Sequence, residues 1–450
     1  MDVPLLLITG KQQVLVEAAR AFVNNEPARF LEEAKLPQGL TIDHQFPPVP
    51  LRMGDTVDIV SGYRKPESAS TFLVRCFTGI TDPSEIEKKF SQLPIFADPA
   101  MGLLPICGDH PAVGSVADVA NRLNLAALFA KGLDGSNVAL AIVDSGIAAS
   151  HLREKRGAPP RIDAANSFTP GNIATEPGNA PFDHGTMCAY DALIAAPNAT
   201  LLDYPMLLTR SGRDEHTVAS TIGAATASYA QLIVDWAVTQ KLQQRYKALV
   251  VSNSWGIFNQ SLDFPVGSSL RYTDKLNHPF HYLITALADA GADIVFAAGN
   301  CGSDCPSPTC LGATQRTIWG ANAYAEVLTV AGCDTTDHHV GYSSRGPSIF
   351  NAAQDKPDLT AYTHFLGSEV DGDGEPDGGT SAACPIAAGC VAALRTSATM
   401  WPGHGGPSPS ALIKYLRANA RPGPGTLVGW NPEYGCGIID PVATATALGL

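Results

Sequence analysis

Asn137-Val138-Ala139-Leu140-Ala141-Ile142-Val143-Asp144-Ser145-Gly146 is the stretch on which the fold of this chain turns. Asn137–Val143 is short, apolar and without alternation, as expected of a strand covered on both faces of a parallel sheet. Downstream of it, helical patterns at Met187–Ala196, Thr217–Gln240 and Tyr282–Ala290 alternate with strand patterns at Ala248–Ser252, Asp293–Ala298 and Ala325–Ala331. This alternation predicts an α/β fold: a doubly wound, mostly parallel sheet with helices on both faces. In such sheets the functional residues lie just beyond the carboxyl ends of the strands.

Upstream, residues 1–112 read differently. Ser70–Phe77 has a strand pattern, and Asp82-Pro83-Ser84-Glu85 opens a helix with Asp as N-cap and Pro in the first turn. Proline-rich joins such as Phe46–Pro50 separate such pieces. The expected organisation is a small α+β module over 1–112 followed by the α/β domain over 113–450. Across the 450 residues, 45% are hydrophobic and 16% charged, which allows a large core and excludes bulk disorder. A net charge of −13 with no basic run argues against a nucleic-acid partner. No apolar run approaches the ~18 residues of a membrane span. Leu5–Ile8 is shorter than a signal-peptide core and follows no positive segment, so the expected location is cytoplasmic, or secreted if the N-terminus has been trimmed. Among the 10 cysteines only Cys301, Cys305 and Cys310 cluster. Their spacing matches no standard zinc signature, which leaves buried thiols and a local disulfide as open readings.

Three residues fall where chemistry is expected. Asp144 ends the first parallel strand, while His184 and Ser381 each open a helix. Singly, they read as a turn aspartate, a polar histidine and a serine cap. Jointly, they offer a nucleophile, a base and an acid to orient that base, in the chain order Asp, His, Ser of subtilisin.

From about Ser115 onward the chain resembles the subtilisin-like serine proteases, the subtilases. The resemblance rests on the three blocks around Asp144, His184 and Ser381, and on segments between them. These are Leu133–Val138, Ala196–Ala199, Tyr342–Pro347, Lys356–Leu359 and Tyr434–Asp440. It implies a serine endopeptidase working through an acyl-enzyme intermediate. Ser381 would attack the scissile carbonyl, His184 would move the proton, and Asp144 would orient the imidazole. Asn300, in Ala297-Ala298-Gly299-Asn300, matches the side-chain donor of the oxyanion hole. Ser254, Trp255 and Gly256 resemble the segment that pairs with an extended protein or peptide substrate. The resemblance also implies that module 1–112 acts as a prodomain, occupies the cleft, and is cut off in the region Gly108–Ala120.

Some residues depart from the family pattern. Met187 stands where the family usually has histidine, and Cys188 follows it. The acidic turn Asp371–Asp377 resembles the start of a calcium loop but lacks a full ligand set, so a solvated turn is preferred over calcium and no metal or other cofactor is expected. The alternative function is a catalytically silent relative that binds peptides or a partner protein. A nucleotide-dependent enzyme is disfavoured, because neither a G-x-G-x-x-G motif nor a P-loop follows the first strand.

Overall fold

The computed structural model describes residues 2–27, 31–103, 106, 111–171, 175–181, 183–207, 220–257, 261 and 263–450. The N-terminal module contains β1 (Val3–Gly10), α1 (Gln13–Val23), β2 (Thr41–Ile42), β3 (Val49–Met53), β4 (Val57–Asp58), α2 (Ile59–Arg64), β5 (Thr71–Thr78), α3 (Pro83–Lys89), β6 (Ile95–Ala97) and β7 (Ala100–Met101). Its antiparallel sheet runs β4-β3-β5-β1-β6, with Leu6 of β1 opposite Arg75 of β5. The capping expectation at Asp82 is met, since its carboxylate accepts the Ser84 and Glu85 amides at 2.8 and 3.3 Å.

The following domain begins with α4 (Val116–Arg122) and α5 (Leu125–Ala130) and then β8 (Val138–Asp144). Next come α6 (Ala149–Arg156), α7 (His184–Ala195), β9 (Thr200–Pro205), β10 (Ser220–Thr221), α8 (Ile222–Ile233) and β11 (Ala248–Asn253). The chain ends with α9 (Pro279–Asp289), β12 (Asp293–Ala297), β13 (Leu328–Cys333), β14 (Leu359–Tyr362), α10 (Gly379–Leu394), α11 (Pro409–Ala418) and α12 (Pro441–Ala447). The order β14-β13-β12-β11-β8-β9 is parallel at every pairing, so the doubly wound α/β expectation holds.

All of β8 is buried, and its residues divide by alternation. Val138, Leu140 and Ile142 join α7 and α10 in one core. Ala139, Ala141 and Val143 join a second core that includes α8, α9 and the apolar residues of the N-terminal module. A run apolar on both faces is therefore what two covering layers require. The sheet winds outward in both directions from β8, which places the switch in strand order at that strand's carboxyl end.

Candidate active site

Asp144 closes β8 at that switch point, 1% exposed. Its Oδ1 accepts the Ser145 amide at 2.7 Å and lies 2.8 Å from His184 Nδ1. His184 is the first residue of α7, where the Asp183 carboxylate caps the helix by accepting the His184 amide at 2.6 Å. Gly185 lets α7 approach the loop after β8, because a Cβ there would sit 2.6 Å from the Gly146 carbonyl. The Gly185 amide donates instead to Ser145 Oγ at 2.8 Å. Burial alone would lower the pKa of His184, but the Asp144 charge and hydrogen bond outweigh it and hold the pKa above the ordinary value, with Asp183 and Asp371 adding to them.

Ser381 lies in the first turn of α10, 6% exposed. Its hydroxyl donates to the Ser254 carbonyl at 3.3 Å, and its own carbonyl accepts from Ser254 Oγ at 2.9 Å. Asn300 follows β12, and its Oδ1 accepts the Thr380 amide at 2.9 Å and the Thr380 hydroxyl at 3.1 Å. Gly379, at φ +71°, keeps the space between Asn300 and Ser381 open; a Cβ there would lie 2.9 Å from Asn300 Nδ2 and 3.5 Å from Ser381 Oγ. The structure thus brings Asp144, His184, Asn300, Ser254 and Ser381 to one end of the parallel sheet.

Trp255 is turned away from the cleft. Its indole donates to the Val143 carbonyl at 2.8 Å, and its ring meets Phe296 edge-on with centroids 5.2 Å apart. It pins the segment after β11, and Gly256 presents its backbone. Gly256 pairs antiparallel with Gly102 of the N-terminal module, with N–H···O distances of 3.1 and 3.3 Å. On the other side, β7 pairs with β10, Met101 facing Ser220 and Ala100 facing Thr221. The chain's own residues 100–102 therefore lie as an extended strand between the two rims.

The subtilase-family sequence model matches residues 135–437. The chain belongs to the subtilase family. Among its relatives, subtilisin DY of Bacillus licheniformis is 26% identical over 271 residues, spanning 59% of this chain and 79% of the relative. Subtilisin E of Bacillus subtilis is 26% identical over 340 residues, 75% of this chain and 73% of the relative. The crystal structure of MycP1 from Mycobacterium smegmatis superposes with a TM-score of 0.47 at 20% identity, covering 77% of this chain and 90% of that one.

Within this subtilase frame, the expected serine endopeptidase is corrected. The groups gathered at the end of β8 are those of Asp144, His184 and Cys188, whose ligating atoms all lie within 4.8 Å of one another. Cys188 Sγ is 3.7 Å from Asp144 Oδ2 and 3.7 Å from His184 Nδ1. Among the described residues no hydrogen bond joins Ser381 to His184, and the serine hydroxyl is committed to the Ser254 carbonyl. The physical reason is helical spacing: Cys188, four residues after His184, lies on the same face of α7 and against the imidazole edge that meets Asp144. The serine-protease assignment conflicts with this cluster, which favours the alternative of a catalytically silent relative on a fold shared with the subtilase hydrolases. Burial, reinforced by the Asp144 charge, pushes the Cys188 pKa well above the ordinary value, the opposite of the shift that activates a thiol.

Other sequence expectations resolve locally. Cys301 and Cys310 form a disulfide, and Cys305 is disulfide-bonded as well. In the acidic turn, Asp377 points inward, its carboxylate accepting the Ser368 amide and hydroxyl, each at 2.6 Å. Among the described residues no helix is long and apolar enough to cross a membrane. Residues 108–110 of the expected cut region lie outside the described residues. The reading from sequence missed the position of Cys188 against His184, although the four-residue spacing was its signal. It also missed Thr380 as the partner of Asn300, for which no local signal existed.

Proposed function

We propose that the subtilase cleft of this chain acts as a peptide-binding groove, taking up an extended protein segment by strand addition without cleaving it. The supporting observation is the strand 100–102 held between Gly256 and β10. Main-chain pairing of this kind needs no particular sequence, so a foreign peptide can use the same rims. The N-terminal module is then the groove's resident occupant, tethered at high effective concentration and displaced by a competitor. Asn300 and the Ser381 backbone line the groove as polar anchors. The disulfides favour an oxidising compartment over the cytoplasm as the place of action.

The test uses the full chain and a Gly102→Pro variant, which removes the amide donating to Gly256. A synthetic peptide spanning residues 96–102 should bind the variant more tightly than the wild type, read by fluorescence anisotropy. A fluorophosphonate probe should label neither protein. Labelling that disappears in Ser381→Ala would overturn this reading and restore a serine nucleophile.

A further inference from the structure

We propose that Asp191 of α7 and Asp377, in the turn before α10, share a single proton and form a latch that alkali opens. The inference is independent of the peptide groove. Asp191 is 0% exposed and Asp377 2%. Neither Asp191 oxygen meets an amide, hydroxyl or amine donor among the described residues, and its hydrogen-bonding partner is the Asp377 carboxyl. Ionised carboxylates only accept, so a hydrogen bond between two of them requires a proton on one. The two positions are not equivalent. Asp377 already accepts the Ser368 amide and the Ser368 hydroxyl, each at 2.6 Å, which favours its charged form. Asp191 has no such support, so the proton rests there and Asp377 accepts it. Burial, and then the Asp377 charge, raises the Asp191 pKa well above the ordinary value. Burial pushes Asp377 up to about 6, against the hydrogen bonds from Ser368 and Asp191.

Charged groups on the adjoining elements are engaged elsewhere. Asp144 of β8 lies 2.8 Å from His184 of α7. On α6, Lys155 pairs with Glu369, Arg156 donates to the Pro197 carbonyl at 3.5 Å, and His151 Nε2 lies 2.8 Å from the Ser368 carbonyl. On α4, Asp118 accepts from Ser115, and Arg122 pairs with Asp337 at 3.4 Å. No residue of α10 is charged. Burial raises the pKa of both Tyr190 and Cys188 on α7, while Asp371 adds negative charge beside Asp377. Both carboxyls ionise in the unfolded chain at neutral pH, so folding takes up one proton from solvent. Rising pH returns that proton and leaves two buried carboxylates in contact, which repel. The stability carried by the shared proton is full below 3.8 and is lost as pH rises through the pair's upper dissociation. The turn held by Asp377 then gives way. The Asp377 amide donates to the Phe365 carbonyl at 2.9 Å, and its carbonyl accepts the His364 amide at 2.7 Å. The same segment holds the link from the N-terminal module. The Val113 amide donates to the His364 carbonyl at 2.7 Å, and the Leu366 amide to the Gly114 carbonyl at 3.0 Å. Alkali would thus free that link from the domain.

Infrared difference spectra of the full chain at neutral pH test this, because a protonated carboxyl has a carbonyl stretch that a carboxylate lacks. Asp191→Asn keeps a donor to Asp377 but has no proton to lose. The wild type should show one protonated carboxyl that is missing from this variant, and missing also from Asp377→Asn, which removes the acceptor. Hydrogen exchange at 113–116 and 364–368 should reveal opening that accelerates in the wild type by up to about tenfold per pH unit, after correction for intrinsic base catalysis. In Asp191→Asn that acceleration should vanish. Thermal unfolding checks that both variants are folded. An unchanged infrared band in either folded variant would overturn the proposal, as would the same pH dependence of opening in Asp191→Asn. So would one equivalent of calcium taken up by the wild type and not by Asp191→Asn, since the pair would then hold a cation and not a proton.

Discussion

The antiparallel sheet of the N-terminal module and the parallel sheet of the subtilase domain achieve burial by different routes. Every residue of β8, β11, β12, β13 and β14 is buried, between helices that belong to the same domain. In β1 and β5 the buried residues are mixed with half-buried ones. Their apolar side chains, among them Leu5, Leu7, Phe72 and Val74, belong to a core that continues into α8 and α9 of the other unit. The parallel domain also has a second core of its own around α7 and α10. The module thus completes its interior by docking, whereas the domain holds one core in reserve. The difference teaches that the junction, not the module's sheet, sets how firmly the cleft's resident strand is held.

The largest expected effect lies in the domain's own core. Arg395, at the end of α10 and fully buried, pairs with Asp293 of β12 through two hydrogen bonds of 2.7 Å and also donates to the Met400 and Pro407 carbonyls. Arg395→Met leaves a buried, unpaired carboxylate and should cost about 3–5 kcal/mol in urea unfolding. A loss below about 1 kcal/mol would mean that the domain does not depend on its internal ion pair.

Acid should act next, and on the junction. His278 of the domain is 0% exposed, and its Nε2 lies 2.9 Å from the Ala97 carbonyl in β6 of the module. Burial lowers its pKa to about 4 from 6.5, against smaller opposing effects of the Ala97 carbonyl and nearby carboxylates. Below 6.5 the unfolded chain binds a proton that the folded chain refuses. The stability due to neutral His278 is therefore full above pH 6.5 and is lost as pH falls toward about 4. The loss should approach about 3 kcal/mol, and His278→Gln should flatten that part of the stability profile. An unchanged profile in the variant would assign the acid sensitivity elsewhere.

A smaller change should loosen the module selectively. Asp98 accepts from Arg75 Nε at 2.6 Å, from the Gly223 amide in the first turn of α8 at 2.6 Å, and from Thr221 Oγ1 at 3.1 Å. Arg75 also pairs with Asp43 at 2.6 Å, so it keeps a partner when Asp98 is removed. Asp98→Ala should cost about 2 kcal/mol and appear in hydrogen exchange as faster opening of β1 and β6, with β8 and β11 unaffected. Equal acceleration in both sheets would erase the distinction drawn between them. The smallest effect is expected at α4, where Asp118 accepts the Ser115 amide and hydroxyl at 2.9 and 2.8 Å. Asp118→Ala should lower the melting temperature by the equivalent of about 0.5–1 kcal/mol.

Much of the fold was legible because burial on both faces leaves an apolar run that needs no tertiary knowledge to recognise. The strand expected at Ala248–Ser252 is Ala248–Asn253, and that at Asp293–Ala298 is Asp293–Ala297. Boundaries shifted where a cap outweighed the apolar pattern. The helix expected from Met187 starts at His184 because Asp183 caps it, and that expected from Tyr282 starts at Pro279 behind the His278 cap. The helix expected over Thr217–Gln240 is α8 at Ile222–Ile233 followed by a π-helical turn at Val234–Val238, with residues 217–219 outside the description. The strand expected at Ala325–Ala331 lies at Leu328–Cys333, set by pairing with β12 and β14.

By itself, the sequence determined the family, the α/β class, and the positions of Asp144, His184, Asn300 and Ser381 at strand and helix ends. Such information is local: apolar period, capping residues and glycines that only a close approach explains. Tertiary structure alone decided which groups meet. Cys188 reaches the Asp144–His184 pair because α7 leans on the loop after β8, while the Ser381 hydroxyl turns to Ser254. The strand 100–102 lies in the cleft because a module more than a hundred residues from β10 and Gly256 docks through a shared core. Contacts between residues so distant in sequence depend on angles and packing summed over whole elements, and no local pattern encodes them.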